Sequence, residues 1–536
     1  MSDVLPFFDA RATLGLHVRA RQMGSRLTPH SLEDLYEEMD ISGIGQAMVV
    51  DCMACECSPG DGNPRILEVT RNQPRLFPGW VGVPAGTDEF PSGQQLIDQM
   101  KTHGVGMIYL LPDFYRFTLD DWVVDDLVEP LAEHRAPVFL IYPGSDAIPF
   151  NEVVNLCRRH PNLPVILGND RIRRQMRVCY KALEQCENLH LDVSCYWFHR
   201  GVEYLSQRFG SHRLIYASNW PRMNMAVTAM TVTTADLPLE DRKLISGDNL
   251  RRLLSWNVEA RETPQLPEPA DDLAKWAITG QKPQGLKVYD NHGHLGGRSG
   301  HYHVPDGSVE LMLRDMDRYG IEQVCVFSLQ GVFTDERYGN DLIFDAVNKY
   351  PDRFVGFTLV NPNRGHDFMM AELQRGMQAG MRGIKLIPTY QGYPEEGPNI
   401  DTPCQFAHDH RQIILNHYWG GAEQMDRLVR TYTNACFFTG HTTIDYKETM
   451  ARYPNLYVCS CPVHRPYIVE TVVEAVGADR FMFGSDLTDL PIAWGIASIL
   501  VARISEREKL MIIRDNLKQV LTQYSLPVNR PAEVTA

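Results

Sequence analysis

The sequence predicts an α/β protein built as two tandem (β/α)8 TIM barrels. Three observations carry that prediction. The 536-residue chain repeats itself once over most of its length. Its second half alternates eight short apolar runs with amphipathic helical patterns. The ends of those runs collect histidine, lysine and aspartate, which is where a parallel barrel places its chemistry.

The repeat comes from comparing the chain with itself. Ser31-Leu32-Glu33-Asp34, Met39-Asp40 and Gly43-Ile44 return as Ser308-Val309-Glu310-Leu311, Met316-Asp317 and Gly320-Ile321. Pro74-Arg75-Leu76-Phe77 returns as Pro351-Asp352-Arg353-Phe354, and the run from Gly104 to Pro112 returns from Gly380 to Pro388. Near the ends, Asp248-Asn249-Leu250 matches Asp515-Asn516-Leu517. The order never changes, so a whole unit is duplicated, far longer than a solenoid repeat.

In the second unit the strands are expected near 287–291, 323–327, 354–358, 383–387, 412–416, 435–439, 456–460 and 481–485. Helical patterns separate them, for example Val309–Asp317, Leu342–Lys349, Phe368–Met377, Ala422–Tyr432 and Ile468–Val476. Such alternation implies right-handed crossovers and a parallel sheet. Eight units in about 250 residues match a barrel. An open doubly wound sheet would want a glycine-rich first turn opening a helix, whereas Gly293 and Gly296-Gly297 lead into a long polar loop. The expected layout is a barrel over 1–256, a linker over 257–284, a barrel over 285–527 and a disordered tail over 528–536. Pro264, Pro267, Pro269 and Pro283 mark the linker, with a short helix near Asp271–Ile278.

Composition narrows the function. The chain is 44% hydrophobic, enough for large cores, and carries a net charge of −15. No basic patch stands out, which argues against nucleic acid as a partner. No apolar run approaches membrane-spanning length and the N-terminus has no secretory pattern, so a cytoplasmic protein without a membrane partner is expected. The twelve cysteines are scattered and are expected to be reduced thiols. Cys52, Cys55 and Cys57 lie close together without an adjacent fourth ligand. Free thiols are the favoured reading there, and a metal the lesser one.

The first strand of the second unit runs into Asp290-Asn291-His292-Gly293-His294. In an extended strand, alternate residues share a face, so Asp290, His292 and His294 are expected to project together. Two such imidazoles suit a divalent cation. Further strand ends offer Lys385, His417, His441 and Asp486.

Together these residues resemble the amidohydrolase-related (amidohydrolase 2) branch of the metal-dependent amidohydrolase superfamily. The matching pieces are Asp-x-His-x-His, Gly-Ile-Lys-Leu, Asn-His-Tyr-Trp-Gly, Thr-Gly-His and Phe-Gly-Ser-Asp, in order across 286–525. The resemblance implies barrels of the metal-dependent hydrolase type, using one divalent ion, zinc first and manganese as the alternative. It implies His292, His294 and His417 as ligands, Asp486 as ligand or general base, and His441 as a second acid/base. Lys385 would hold an anionic substrate group or, carboxylated, bridge two metals. Arg298, His301, His303, Tyr390, Trp419, His464 and Arg465 are expected to line the substrate site, with Tyr302 and Arg337 nearby.

The first unit resembles the family in scaffold and departs from it in site. Asp9 is kept, but Arg11, Thr13, Tyr142, Asn169 and Asn219 stand where the histidines and aspartate would be, and Tyr109 replaces the lysine. An arginine there repels a cation, so residues 1–256 are expected to form a barrel that has lost its metal centre. It would pair with the second within the chain; a homo-oligomer is left open. The expected function is a metal-dependent hydrolase attacking an amide, lactone or related bond of a small molecule, anionic ones included, with metal-activated water. The alternatives are a non-oxidative decarboxylase of the same branch and a catalytically silent binding or scaffold protein.

Overall fold

The computed structural model describes residues 4–17, 27–143, 147–168, 172–195, 198–263, 265–297 and 303–524. It divides into two compact units, with the boundary between Gln281 and Lys282. The tail over 528–536, Arg298, His301, Tyr302 and Asn169 lie outside the described residues.

The first unit contains β1 (Phe8–Leu14), β2 (Gln46–Asp51), β3 (Leu76–Pro78), β4 (Trp80–Gly82), β5 (Ile108–Leu110), β6 (Val138–Ile141), β7 (Val165–Gly168), β8 (Leu189–Asp192) and β9 (Leu214–Ile215). Every pairing is parallel, in the order β1-β2-β3 and β4 through β9. β3 and β4 are one extended run interrupted at Gly79, whose N–H reaches Val49 O at 2.8 Å. A Cβ on Gly79 would come within 2.4 Å of the Tyr109 ring, so the glycine makes room for that buried aromatic. The ring closes where Ala10 N–H donates to Tyr216 O and Thr13 N–H to Trp220 O, at 3.1 and 3.0 Å.

The second unit contains β10 (Val288–Leu295), β11 (Ile321–Ser328), β12 (Phe354–Leu359), β13 (Gly383–Leu386), β14 (Ile413–Asn416), β15 (Cys436–Thr439), β16 (Leu456–Cys459) and β17 (Phe481–Met482). They form one eight-stranded parallel sheet in sequence order. It closes where Asn291 N–H donates to Phe483 O and Asp486 N–H to His292 O, both at 2.9 Å. All eight expected strands are present. Each barrel is filled by its own cluster, including Phe77, Phe139 and Ile166 in the first and Phe357, Leu415 and Phe438 in the second.

The repeated sequence pieces turn out to be staples. Ser31 and Ser308 cap helices Leu32–Ser42 and Val309–Tyr319, and Gly43 and Gly320 end them at φ 74° and 69°, the left-handed conformation glycine adopts without strain. Asn249 donates to Ser211 O and Leu214 O, and Asn516 to Ala478 O and Phe481 O, all within 2.7–2.9 Å. Arg75 binds Gly45 O, Ile44 O and Asp40, while Arg353 binds Glu322 O, Ile321 O and Asp317. Structure therefore pairs Arg75 with Arg353, one residue off the sequence match.

Much of the stretch expected to be a linker is packed. Helix Asp272–Thr279 buries Leu273, Trp276 and Ile278, and residues to Gln281 belong to the first compact unit. Arg261 stacks over Phe77 at 4.4 Å. Apolar residues spaced along a helix cover a core whether or not prolines flank them.

Candidate metal centre

The site of the second unit starts from Asp290. Strand register shifts between Asp290 and Gly293, and the Asp290 carboxylate is fully buried. It accepts from Ser485 Oγ at 2.5 Å, and from Ser485 N and His292 N at 3.0 Å each. The expectation that Asp290 would project together with both histidines is thus corrected: the bulge takes it out of phase. It serves as a bracket joining β10 to the segment after β17. Burial pushes its carboxyl up to about 7 against the Ser485 hydrogen bonds that lower it.

That bracket positions Asp486, which stands at φ 62°. His292 Nε2 and His294 Nδ1 lie 3.5 and 3.4 Å from Asp486 Oδ1. One ligand atom from each of the three lies within 4.8 Å of the others, and all three residues are buried. The Phe327 ring packs beside both imidazoles, with centroids 4.5 Å from His294 and 5.3 Å from His292.

His417 and His441 form a second pair. His441 Nε2 is 3.2 Å from His417 Nδ1, and the rings meet edge to face at 4.3 Å. The His441 ring lies 6.5 Å from that of His292. His417 is not among the three grouped residues and packs against His441. His441 Nδ1 is 3.2 Å from the Cys461 carbonyl; donation there leaves Nε2 as the acceptor nitrogen.

Burial holds these imidazoles neutral. It lowers His292 well below the usual range, His294 to about 4, His417 to about 2, and His441 below its ordinary value, and neighbouring cationic groups add to the effect. Neutral imidazole is the ligating form. Lys385 is fully buried and pushed down to about 7 by desolvation. Its Nζ has no hydrogen-bond partner and lies 4.3 Å from the Phe327 ring centroid. His294 Nδ1 is likewise buried without a hydrogen-bond partner. Such groups are costly unless something fills the space between them. A divalent cation fits this donor set, because two neutral nitrogens and a carboxylate oxygen make a common three-ligand arrangement.

Other predicted residues fall in several places. Tyr390 is 47% exposed and its ring lies 5.4 Å from His417, at the mouth. His303 is half-buried and Arg465 exposed. His464 packs at 5.6 Å on Trp494. Trp419 is buried, and its indole N–H donates to Phe438 O at 2.8 Å, so it belongs to the wall. Arg337 faces Glu372 at 3.6 Å. Sequence reasoning missed Cys459 and Asn291. Cys459 Sγ donates to Asn291 Oδ1 at 3.0 Å and lies 3.8 Å from His292 Nδ1. The signal was a Cys-x-Cys at a strand end, Cys459 and Cys461.

The first unit repeats the bracket. Asp9 accepts from Ser218 Oγ at 2.5 Å, Ser218 N at 2.8 Å and Arg11 N at 2.9 Å. Asn219 takes the same conformation as Asp486, at φ 57°. Arg11 Nη1 lies 3.5 Å from Asp192 Oδ2, both buried, with Asp192 at the β8 end where β16 ends in Cys459. Tyr109, in place of lysine, donates to Ala10 O at 2.7 Å. Tyr142 is buried and Thr13 lines a pocket of about 180 Å³.

A parallel barrel with buried neutral histidines and an aspartate at its strand ends defines the class of metal-assisted barrel enzymes. A family model described as Amidohydrolase matches residues 18–256 and again 289–516; the chain belongs to this family. Among solved structures, it is similar to a TIM-barrel protein from Bordetella bronchiseptica, 19% identical, TM-score 0.39, covering 47% of this chain and 99% of that one. It is also similar to 2,6-dihydroxybenzoate decarboxylase from Rhizobium, 16% identical, TM-score 0.35, covering 44% and 98%. A third is 5-carboxyvanillate decarboxylase from Novosphingobium aromaticivorans, solved with bound manganese, 15% identical, TM-score 0.35, covering 44% and 97%. No curated protein matches the chain. Among the described residues, no helix is long and apolar enough to cross a membrane.

Proposed function

We propose that the second unit is a metal-dependent hydrolase acting on a small molecule at an amide, lactone or related bond. One observation carries the reading: His292, His294 and Asp486 converge at one barrel mouth as buried ligand atoms, the imidazoles neutral. The ion would be held by His292, His294 and Asp486, with His417 approaching as the fourth ligand; zinc is the first choice and manganese the second. When bound, it supplies Lewis acidity and acidifies a water towards neutral pH.

This chain's own groups do the rest. Asp486 takes the proton of the attacking water, and its left-handed backbone, set by the Asp290–Ser485 bracket, fixes the carboxylate. His441 accepts and returns a proton through Nε2, because its Nδ1–H is committed to the Cys461 carbonyl. Lys385 Nζ, without a partner of its own, holds an anionic group of the substrate; Arg298, His301, His303, Tyr390, His464 and Arg465 supply the outer contacts. Aromatic Phe327 and buried Trp419 keep bulk water out of the wall.

The test is a panel of small amides, lactones and carboxylic acids assayed with zinc- and manganese-loaded protein. Hydrolytic turnover lost in His292→Ala is the expected result. Carbon dioxide release without water uptake replaces hydrolysis with decarboxylation at the same residues. No turnover, and no metal in the wild type after loading, overturns the enzyme reading in favour of a binding protein.

A further inference from the structure

We propose that the first unit carries a transition-metal site of its own, built from His17, Cys52 and Glu56. These are not the positions that correspond to the ligands of the second unit. His17 follows β1, while Cys52 and Glu56 lie on the short helix Cys52–Glu56 that follows β2. Residues four apart on a helix share a face, so the thiol and the carboxylate point the same way. Asp51 caps that helix by accepting from Met53 N at 2.8 Å.

One ligand atom from each of the three lies within 4.8 Å of the others. His17 and Cys52 are buried, at 6% and 5% exposure. His17 Nδ1 meets Glu56 Oε1 at 2.9 Å, while its Nε2 is buried with no hydrogen-bond partner among the described residues. Arg222 Nη2 stands 3.6 Å from the same Glu56 oxygen, as a group that orients a ligating carboxylate and balances its charge. His17, Glu56 and Arg222 also line the 180 Å³ pocket, which has room for a water as the remaining ligand.

The donor types choose the metal. Imidazole nitrogen with thiol sulfur and one carboxylate oxygen suits zinc or a similar borderline divalent ion, and not magnesium or calcium, which take oxygen ligands. Binding replaces the Cys52 S–H bond with an S–metal bond and sends the proton to solvent. The three neighbouring cysteines do not act as a set: among the described residues, the metal-ligating group takes Cys52 alone of the three.

Cobalt(II) is the probe, because thiolate ligation gives it a near-ultraviolet charge-transfer band. Chelator-stripped full-length protein is loaded with cobalt and its spectrum recorded. The band is expected in the wild type, retained in His292→Ala, lost in Cys52→Ser and shifted or weakened at least tenfold in affinity in Glu56→Gln. Absence of the band in the folded wild type overturns the site, whatever the variants do. Its persistence in Cys52→Ser, or its loss in His292→Ala, assigns the thiolate elsewhere and also overturns it. The readout does not involve turnover, so the site stands or falls apart from the hydrolase reading.

Discussion

The Asp–Ser bracket offers a paired experiment, because it occurs once in each unit and is followed directly by the candidate ligand Asp486 in the second and by Asn219 in the first. Ser485→Ala removes the 2.5 Å bond to Asp290 and the acceptor for Leu487 N–H at 3.0 Å. Ser218→Ala removes the 2.5 Å bond to Asp9 and the acceptor for Trp220 N–H at 3.0 Å. A hydrogen bond to a charged group contributes about 1.5–3 kcal/mol and a buried orphaned N–H costs about 1–3 kcal/mol. Each variant should therefore lose about 3–5 kcal/mol in its own unit at pH 8, where the carboxylates are ionised. For a unit of this size that lowers the melting transition by roughly 10 °C. Calorimetry on chelator-treated protein measures this loss. Metal per chain, measured on loaded protein after dialysis, separates the two: Ser485→Ala loosens Asp486 and sheds metal, whereas Ser218→Ala keeps the wild-type content. Equal metal loss in both variants, or no loss of stability in either, refutes the reasoning.

Asp486→Asn, assayed at saturating metal, should lose about 100- to 10,000-fold in kcat, the range for a positioned general base; normal turnover would reassign the base. Arg11→Ala strands the buried Asp192 carboxylate and should destabilise the first unit by about 3–5 kcal/mol while leaving turnover unchanged, as read by calorimetry and a kinetic assay. Burial raises Asp9 to about 6, so the folded state keeps a proton that the unfolded chain releases near pH 4. Its contribution to stability is full below about pH 4 and falls as pH rises to about 6, by about 3 kcal/mol. Asp9→Asn should remove that fall, seen as a smaller difference between denaturation free energies at pH 4 and pH 8.

The barrels were legible because strand and helix periods are local. Each run such as Phe354–Leu359 announces itself within a few residues, and its pairing follows from chain order in a parallel sheet. The candidate residues His292, His294, His417, His441 and Asp486 stood out for a related reason: each lies a few residues past an apolar run. What depended on distant partners was not. A strict period of two sent Asp290 into the mouth, because the register shift before Gly293 answers to Ser485, 195 residues away. Trp419 looked like a mouth residue until its N–H found Phe438. The spacing of the cysteine cluster favoured free thiols, yet Cys52 meets His17 and Glu56 through the fold.

The replacements in the first unit make sense only as a group. Removing a cation from a buried site leaves neutral nitrogens and a carboxylate without partners, a costly arrangement in low dielectric. Arg11 alone would add an unpaired buried charge, and Asp192 alone would do the same. Together, at 3.5 Å, they neutralise one another. Tyr109 finds Ala10 O within the barrel, where Lys385 in the other unit has no hydrogen-bond partner. At these corresponding positions Arg11, Asp192 and Tyr109 find partners within the first unit, whereas Lys385 Nζ and His294 Nδ1 of the second have no hydrogen-bond partner among the described residues. Two units with the same bracket, caps and staples differ at these corresponding positions, and the unsatisfied Lys385 and His294 atoms mark the second mouth as a place where something binds.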